Sequence, residues 1–300
     1  MRISIVTPCL NAQAHIAETI RSVVQQRGDF SIEYIVVDGG SSDATEQRVR
    51  EAAQCLVDCP GLVQCDGVTI DWVSEPGSGM YEALNRGFDR ASGDVYAWIN
   101  ADDLYLPGAF QAVSRVFSQC PAVDWLKGVT SYIDEDSVFL RAGKVHLYDR
   151  GWLHAGVYGR DLYFVQQDSV FWRAALWASA GHFPSTLCLA GDYWLWSRFA
   201  EFAPLYSLPV PLSCFRRRSG QLSENRSGYV DEVRCLKPGR LRRATIVRRL
   251  LGLPTSRYAR PLRLALRWLV GNQTYHAVVF DDDGCCRTLA GDYVRVRTAL

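Results

Sequence analysis

Residues 91–103 read ASGDVYAWINADD, an apolar run that ends without a break in a pair of carboxylates. Its centre, DVYAWIN (94–100), has the length and the aromatic and β-branched character of a buried strand. It follows a helical pattern, Met80 to Ala91, with Ala83, Leu84 and Phe88 on one face. A helix leading into a strand that empties into Asn100, Ala101, Asp102 and Asp103 is the repeating unit of a parallel α/β sheet. Ligands of such sheets collect at the carboxyl ends of the strands, where this acidic group falls.

The same alternation recurs toward the N-terminus. ISIVTP (3–8) reads as a buried strand, and Asn11 to Arg27 places Ile16, Ile20, Val23 and Val24 at helical spacing. EYIVVDG (33–39) is a second strand with Asp38 at its carboxyl end, Ser41 to Asp43 opens a second helix, and VTIDWVSE (68–75) is a third strand ending at Glu75. Toward the C-terminus, Pro107 is a favourable helix start, and VDWLKGVTSYID and SVFLRAGKV look like the strands of a hairpin. FVQQDSVFW (164–172) reads as a further strand, and Gly191 to Ala203 as a helix carrying Tyr193, Trp194, Trp196 and Phe199. The character shifts beyond Leu222, so a soft boundary is placed near 225, with an appendage after it.

The chain has 300 residues, enough for one large domain or two small ones, and its 48% hydrophobic content with 9 Trp, 14 Tyr and 12 Phe excludes wholesale disorder. No stretch reaches the ~18 uninterrupted apolar residues of a membrane span. The start, MRISIVTPCLNAQ, turns polar too soon for a signal peptide. A net charge of +1 hides an uneven distribution: residues 1–150 carry 12 basic against 21 acidic residues, whereas residues 234–268 carry 11 basic and no acidic ones. The ten cysteines form no C-x-x-C pair and are read as reduced thiols; Cys55, Cys59 and Cys65 lack the nearby histidine that would favour zinc.

Adjacent carboxylates repel, and a divalent cation with oxygen ligands relieves that repulsion, as does the cap of a following helix. If a diphosphate shares the cation, the ion offsets the charge that builds up as the diphosphate leaves. Asp38, acceptor-only when ionised, suits a base N–H or a ribose hydroxyl, with Gly39 and Gly40 letting the chain turn beside it. Ser41 and Asp43 are equally good helix caps. Pro8 suits the end of a strand beside a flat base, or a simple turn.

Five features occur in one order: TPCLN (7–11), VDGGSSDAT (37–45), SEPGSGMYEALNRG (74–87), ASGDVYAWINADD (91–103) and AGDYWLWSR (190–198). Together they resemble the family 2 glycosyltransferases over roughly residues 1–225, and within them bacterial enzymes of exopolysaccharide, colanic-acid-like or O-antigen assembly. The resemblance implies the GT-A fold, a Rossmann-like mixed α/β sheet with helices on both faces, here followed by a basic helical C-terminal appendage. It divides the chain into a glycosyltransferase domain, 1–225, and a basic amphipathic region, 226–300. Within the domain, 1–105 would bind the nucleotide sugar and 106–225 would face the acceptor.

By the same resemblance, Thr7, Pro8, Asn11, Asp38, Gly39, Ser41, Glu75, Gly79, Tyr81, Asn85, Asn100 and Ala101 line the donor site of a UDP- or GDP-sugar. Asp102 chiefly, with Asp103 second or indirect, would hold Mg or Mn. The family's Asp-x-Asp begins here with Asn100, whose amide brings no charge to a metal. Asp192 would be the base that deprotonates a saccharide or polyprenyl-linked acceptor, although its position also suits stabilisation of the following helix. Gln167 and Trp194 fall on the acceptor side, where a buried polar strand and core packing are the competing readings. Arg218 stands where the family often has a histidine; a guanidinium there suits diphosphate oxygens.

Two alternatives stay open. A sugar-phosphate nucleotidyltransferase begins with a similar fold but needs a Gly-rich basic loop that TPCLNAQAHI lacks; the other is a non-catalytic sugar- or lipid-binding protein. The basic run 234–268 suits an anionic membrane surface, or packing on the catalytic domain; the acidic front half argues against nucleic acid. The expected location is cytoplasmic, peripheral on the inner face of the membrane.

Overall fold

In the computed structural model, which describes residues 1–237 and 273–300 apart from 78, 159 and 161, eleven strands form one mixed sheet. Its front half is the parallel unit expected from sequence. Strand β1 (Arg2–Cys9) lies between β2 (Arg27–Asp38) and β4 (Val95–Trp98), and β3 (Gln64–Ser74) flanks β2. Helices α1 (Ile16–Val24), α2 (Thr45–Asp58) and α3 (Met80–Arg90) make the connections. From Ile3 to Cys9 every residue of β1 is buried, as in a strand covered on both faces.

The sheet then changes direction. Strand β8 (Val170–Arg173) runs antiparallel to both β4 and β6 (Trp125–Ile133), and β6 runs parallel to β9 (Tyr206–Arg216). Short β5 (Leu104–Tyr105) pairs with β9, and β7 (Phe139–Arg141) closes the expected hairpin on β6. Helices α4 (Ala109–Gln119), α5 (Arg150–His154), α6 (Ala174–Ala180) and α7 (Gly191–Phe202) complete this half.

The segment 164–172, expected as one strand, is instead a 3-10 turn, Gln167–Ser169, followed by β8. The turn carries Asp168 and Ser169 into a buried polar cluster, where Asp168 accepts from the Ser213 hydroxyl and Lys127 Nζ donates to Ser169 Oγ at 3.0 Å. Burial pushes the Lys127 ammonium down to about 8 and the Asp168 carboxyl up.

The expected division at 225 falls just before α8 (Arg226–Leu236), which packs on α7. Beyond it, β10 (Tyr275–Phe280) joins β9 in parallel, β11 (Cys286–Gly291) pairs with β10, and α9 (Tyr293–Ala299) follows. In its described part, therefore, the segment expected as a helical appendage is helical in α8 and α9 and extends the same sheet through β10 and β11. Most of the basic run 234–268 lies outside the described residues. Among the described residues, no helix is long and apolar enough to cross a membrane.

The core is rich in indoles. Trp98, at the end of β4, stacks on Trp196 of α7 with ring centres 5.4 Å apart, and Trp125 and Trp172 pack against the same ring at 5.8 and 5.9 Å. Trp98 lies four residues before Asp102, and Trp196 lies one helical turn after Asp192. The stacked pair thus fixes α7 against the strand that leads to the acidic turn.

Candidate active site

The loops that leave β1 and β2 are stitched together. Asn11 N–H donates to Ser41 Oγ at 2.8 Å, and Asn11 Oδ1 accepts from Ser42 N–H at 2.9 Å. Gln13 N–H donates to Asp43, Ala44 N–H to Gln13 Oε1, and Ala12 N–H to Thr45 Oγ1. The stitching holds Asn11 at a φ of 49° and delays the first helix, expected from Asn11, until Ile16.

Asp38, only 4% exposed, accepts from Gly40 N–H, Ser41 N–H, the Ser41 hydroxyl and the Cys9 thiol. Gly40 turns at a φ of +98°, with Pro76 so near that an added Cβ would lie 3.1 Å from its backbone. Gly39 donates its N–H to Cys9, and its carbonyl accepts from Gly77. Glu75, half-buried, donates its N–H to the Asp38 carbonyl at 2.8 Å. Thr7 is fully buried, its hydroxyl accepting from Tyr34, and Pro8 is buried within β1. The side chains of Thr7, Asn11, Asp38 and Ser41, expected to meet the donor, thus make their hydrogen bonds within the protein.

Helix α3 turns its motif residues toward α7. Gly79, exposed, precedes its first turn. The Tyr81 hydroxyl donates to Leu189 O at 2.7 Å, and the ring sits so close to Gly191 that a Cβ there would approach within 2.3 Å. The Asn85 amide makes a reciprocal pair of 2.9 Å bonds with the backbone of Phe183. Both side chains, expected at the donor pocket, hold the segment that leads into α7.

The acidic turn separates its two carboxylates. Asp103 is fully buried: Oδ1 accepts from Arg216 N–H at 2.8 Å and Oδ2 from the Asn100 amide at 3.3 Å. Burial, with Asp102 and Asp168 nearby, pushes its carboxyl well above the ordinary range. Both Asp103 oxygens are thus engaged inside the protein.

Asp102 faces the other way. Its Oδ2 accepts from Arg218 Nε at 2.8 Å and Gln221 Nε2 at 3.3 Å, and no hydrogen bond reaches Oδ1 among the described residues. No group of three or more His, Cys, Asp or Glu among the described residues could hold a metal. The donor set still fits a cation shared with a diphosphate, because Asp102 Oδ1 is one open hard oxygen and phosphate oxygens and water can complete the shell. Ala101 is buried in the same turn.

Asp192 lies in the first turn of α7. Its Oδ1 accepts from Tyr193 N–H at 2.6 Å and from the Tyr229 hydroxyl at 3.0 Å, leaving Oδ2 without a hydrogen bond among the described residues. Burial pushes its carboxyl up to about 7, against the pull of those two donors. Trp194 is half-buried, its ring 5.8 Å from Phe183. The Gln167 amide is buried with neither atom hydrogen-bonded among the described residues.

The residues missed from sequence lie mainly at and beyond the end of β9. Arg216, fully buried, donates to Asp102 O, Asp134 O, Glu135 O, the Ser137 hydroxyl and Glu18 Oε2. It lies in the run FRRRSGQLS (215–223), whose expected site residue is Arg218. Gln221 belongs to the same run; nothing local marks Tyr229 or Glu232.

The sequence profile described as glycosyl transferase family 2 matches residues 4–166. An uncharacterised glycosyltransferase of Mycobacterium tuberculosis is 28% identical over 216 residues, covering 71% of this chain and 72% of its own. Among solved structures, S. aureus TarS 1-349 in complex with UDP-GlcNAc superposes with a TM-score of 0.57 at 14% identity, covering 90% of this chain and 78% of that one. Glucosyl-3-phosphoglycerate synthase from Mycobacterium tuberculosis, in complex with Mn2+, UDP-Glc and phosphoglyceric acid, superposes at 0.52 with 19% identity, covering 79% of each chain. These likenesses establish the shared GT-A fold, and with the profile spanning more than half of the sequence, the chain belongs to glycosyl transferase family 2.

Proposed function

We propose that this glycosyltransferase moves a sugar from a nucleoside-diphosphate donor to a hydroxyl of a saccharide or lipid-linked saccharide, inverting the anomeric carbon, in the assembly of a bacterial surface polysaccharide. The observation that carries this reading is the stacking of Trp98 on Trp196, which ties the turn bearing Asp102 to the helix bearing Asp192. Each acid keeps one oxygen free of hydrogen bonds among the described residues.

In this reading, Asp192 Oδ2 takes the proton of the acceptor hydroxyl as its oxygen bonds to the anomeric carbon, and the bond from that carbon to the diphosphate breaks on the opposite side. A carboxyl poised near 7 is matched to that task at neutral pH. Arg218, held against Asp102 by a 2.8 Å ion pair, offers its guanidinium to the departing diphosphate. Asp102 would hold the divalent cation, Mg or Mn, which when bound supplies Lewis-acid stabilisation of the leaving group. The solved relatives with UDP-GlcNAc and with Mn2+ and UDP-Glc support a UDP-sugar and manganese as the first pair to test. Glu75, Gly79 and Asn100, at the mouths of β3 and β4, remain the donor-side positions of this reading, and Gln167 and Trp194 its acceptor side.

Thermal-shift screening of UDP-, GDP- and dTDP-sugars with and without Mn2+ tests the assignment. One nucleotide class should raise Tm in a metal-dependent way; no shift with any of them overturns it. The basic run 234–268 would bring the protein to the anionic inner face of the membrane. Replacing Arg242, Arg243, Arg248 and Arg249 with serine should lower co-sedimentation with phosphatidylglycerol vesicles, and equal sedimentation removes the membrane assignment.

A further inference from the structure

Helix α8 lies beyond the residues matched by the family profile, yet its side chains reach the start of α7 at two levels. The Tyr229 hydroxyl meets Asp192 Oδ1 at 3.0 Å. One turn along, the two Glu232 oxygens accept from Cys188 N–H at 3.0 Å and Leu189 N–H at 2.9 Å, immediately ahead of α7. The Leu189 carbonyl is held in turn by the Tyr81 hydroxyl. Val233 of α8 is fully buried against Ala190 and Tyr193, and Asn225 caps the helix by accepting from Gly228 N–H. Phe164 meets the Tyr229 ring edge-on at 5.2 Å, which fixes the phenol from its other side.

We propose that Tyr229 is a positioning residue for the catalytic base: its hydroxyl pins Asp192 Oδ1, so that Oδ2 is the oxygen left to receive the acceptor proton. This rests on Asp192 being the base, as proposed above. A carboxylate in the first turn of a helix can otherwise rotate either oxygen back toward the helix amides. With Oδ1 held from the backbone by Tyr193 N–H and from outside by Tyr229, rotation about the last side-chain bond breaks both contacts at once. The groups facing this carboxyl are Tyr229 and Glu232 from α8, Tyr81 from α3 and Tyr193 from its own helix. The Glu232 charge disfavours ionisation of Asp192 and the Tyr229 hydrogen bond favours it, so loss of the phenolic hydroxyl moves the titration upward.

The test is Tyr229→Phe in the full chain, which keeps the ring on Phe164 and removes only the hydroxyl. The Asp192 carboxyl is followed by 13C NMR of protein labelled at aspartate Cγ, its resonance assigned by its absence from Asp192→Asn; this measurement needs no donor. The midpoint should rise by about one pH unit in Tyr229→Phe. Turnover is read as nucleoside diphosphate released from UDP-glucose, UDP-N-acetylglucosamine and GDP-mannose. At pH 7 it should fall by about fivefold and recover by about pH 9, with donor KM unaltered. An unmoved midpoint, or a loss of turnover equal at every pH, overturns the role of Tyr229. Full turnover in Asp192→Asn overturns the base assignment instead, a result the titration of Tyr229→Phe cannot mimic.

Discussion

The loops at the ends of β1 and β2 and the two acids Asp102 and Asp192 use the same residue types in opposite ways. At the first, Asp38, Ser41, Asn11 and Asp43 accept and donate among themselves and the two loop backbones. At the second, each acid has one oxygen anchored by the protein and one without a hydrogen bond among the described residues. Motif membership alone does not separate a residue that builds a cleft from one that reacts in it. Unspent hydrogen-bonding capacity marks where a ligand can still be received, because a carboxylate oxygen with no protein donor remains open to a proton or a cation.

The strongest way to break this contrast is at Asp192. Asp192→Asn should lower transfer by roughly 10²–10⁴-fold while calorimetric nucleotide affinity stays unchanged. In the unaltered protein, only the ionised carboxyl can accept a proton. With its titration pushed up to about 7, kcat/KM should therefore fall as pH drops through that value and level off above it. A flat profile from pH 5 to 8 would place the base elsewhere.

A second route tests Arg216, which ties the acidic turn to α1 and to the turn between β6 and β7. Arg216→Met removes a fully buried guanidinium and leaves the carbonyls of Asp102 and Glu135 without their donor. The loss should be about 3–5 kcal/mol by urea denaturation, as for other broken buried pairs. Separating Asp102 from Asp103 sharpens the contrast at closer range. Asp102→Ala should abolish the difference between nucleotide titrations run with Mn2+ and with EDTA. Asp103→Asn should preserve that difference and cost about 1–3 kcal/mol of stability through its weakened acceptor. The smallest effect is expected in the stitched loops: Ser41→Ala should lose about 1 kcal/mol with nucleotide affinity retained, and a large affinity loss would dissolve the contrast.

The parallel front half was readable because its strands and helices announce themselves by local periodicity: ISIVTP lies within β1, EYIVVDG ends one residue past β2, and DVYAWIN spans β4. Direction was harder to read. Asp102 and Asp103 are neighbours in the chain, and the turn that begins at Asn100 sends one outward and the other into the core. Similarly, one run of three arginines holds both the buried Arg216 and the exposed Arg218. The segment 164–172 was misread because Gln167–Ser169 trades strand pairing for a buried polar cluster, which residue composition does not reveal. Tyr229 and Glu232 carried no signal because their contacts with Asp192 and Leu189 join distant parts of the sequence.

One run of backbone, from Arg216 to Glu232, bears on both acids: Arg218 and Gln221 grip Asp102 at one end, and Tyr229 grips Asp192 at the other. On the proposed reading, a donor that lifts Arg218 off Asp102 pulls on the same tether that holds Asp192. To the extent that this tether moves as a unit, donor and acceptor affinities are thermodynamically linked, and each must alter the other by the same factor.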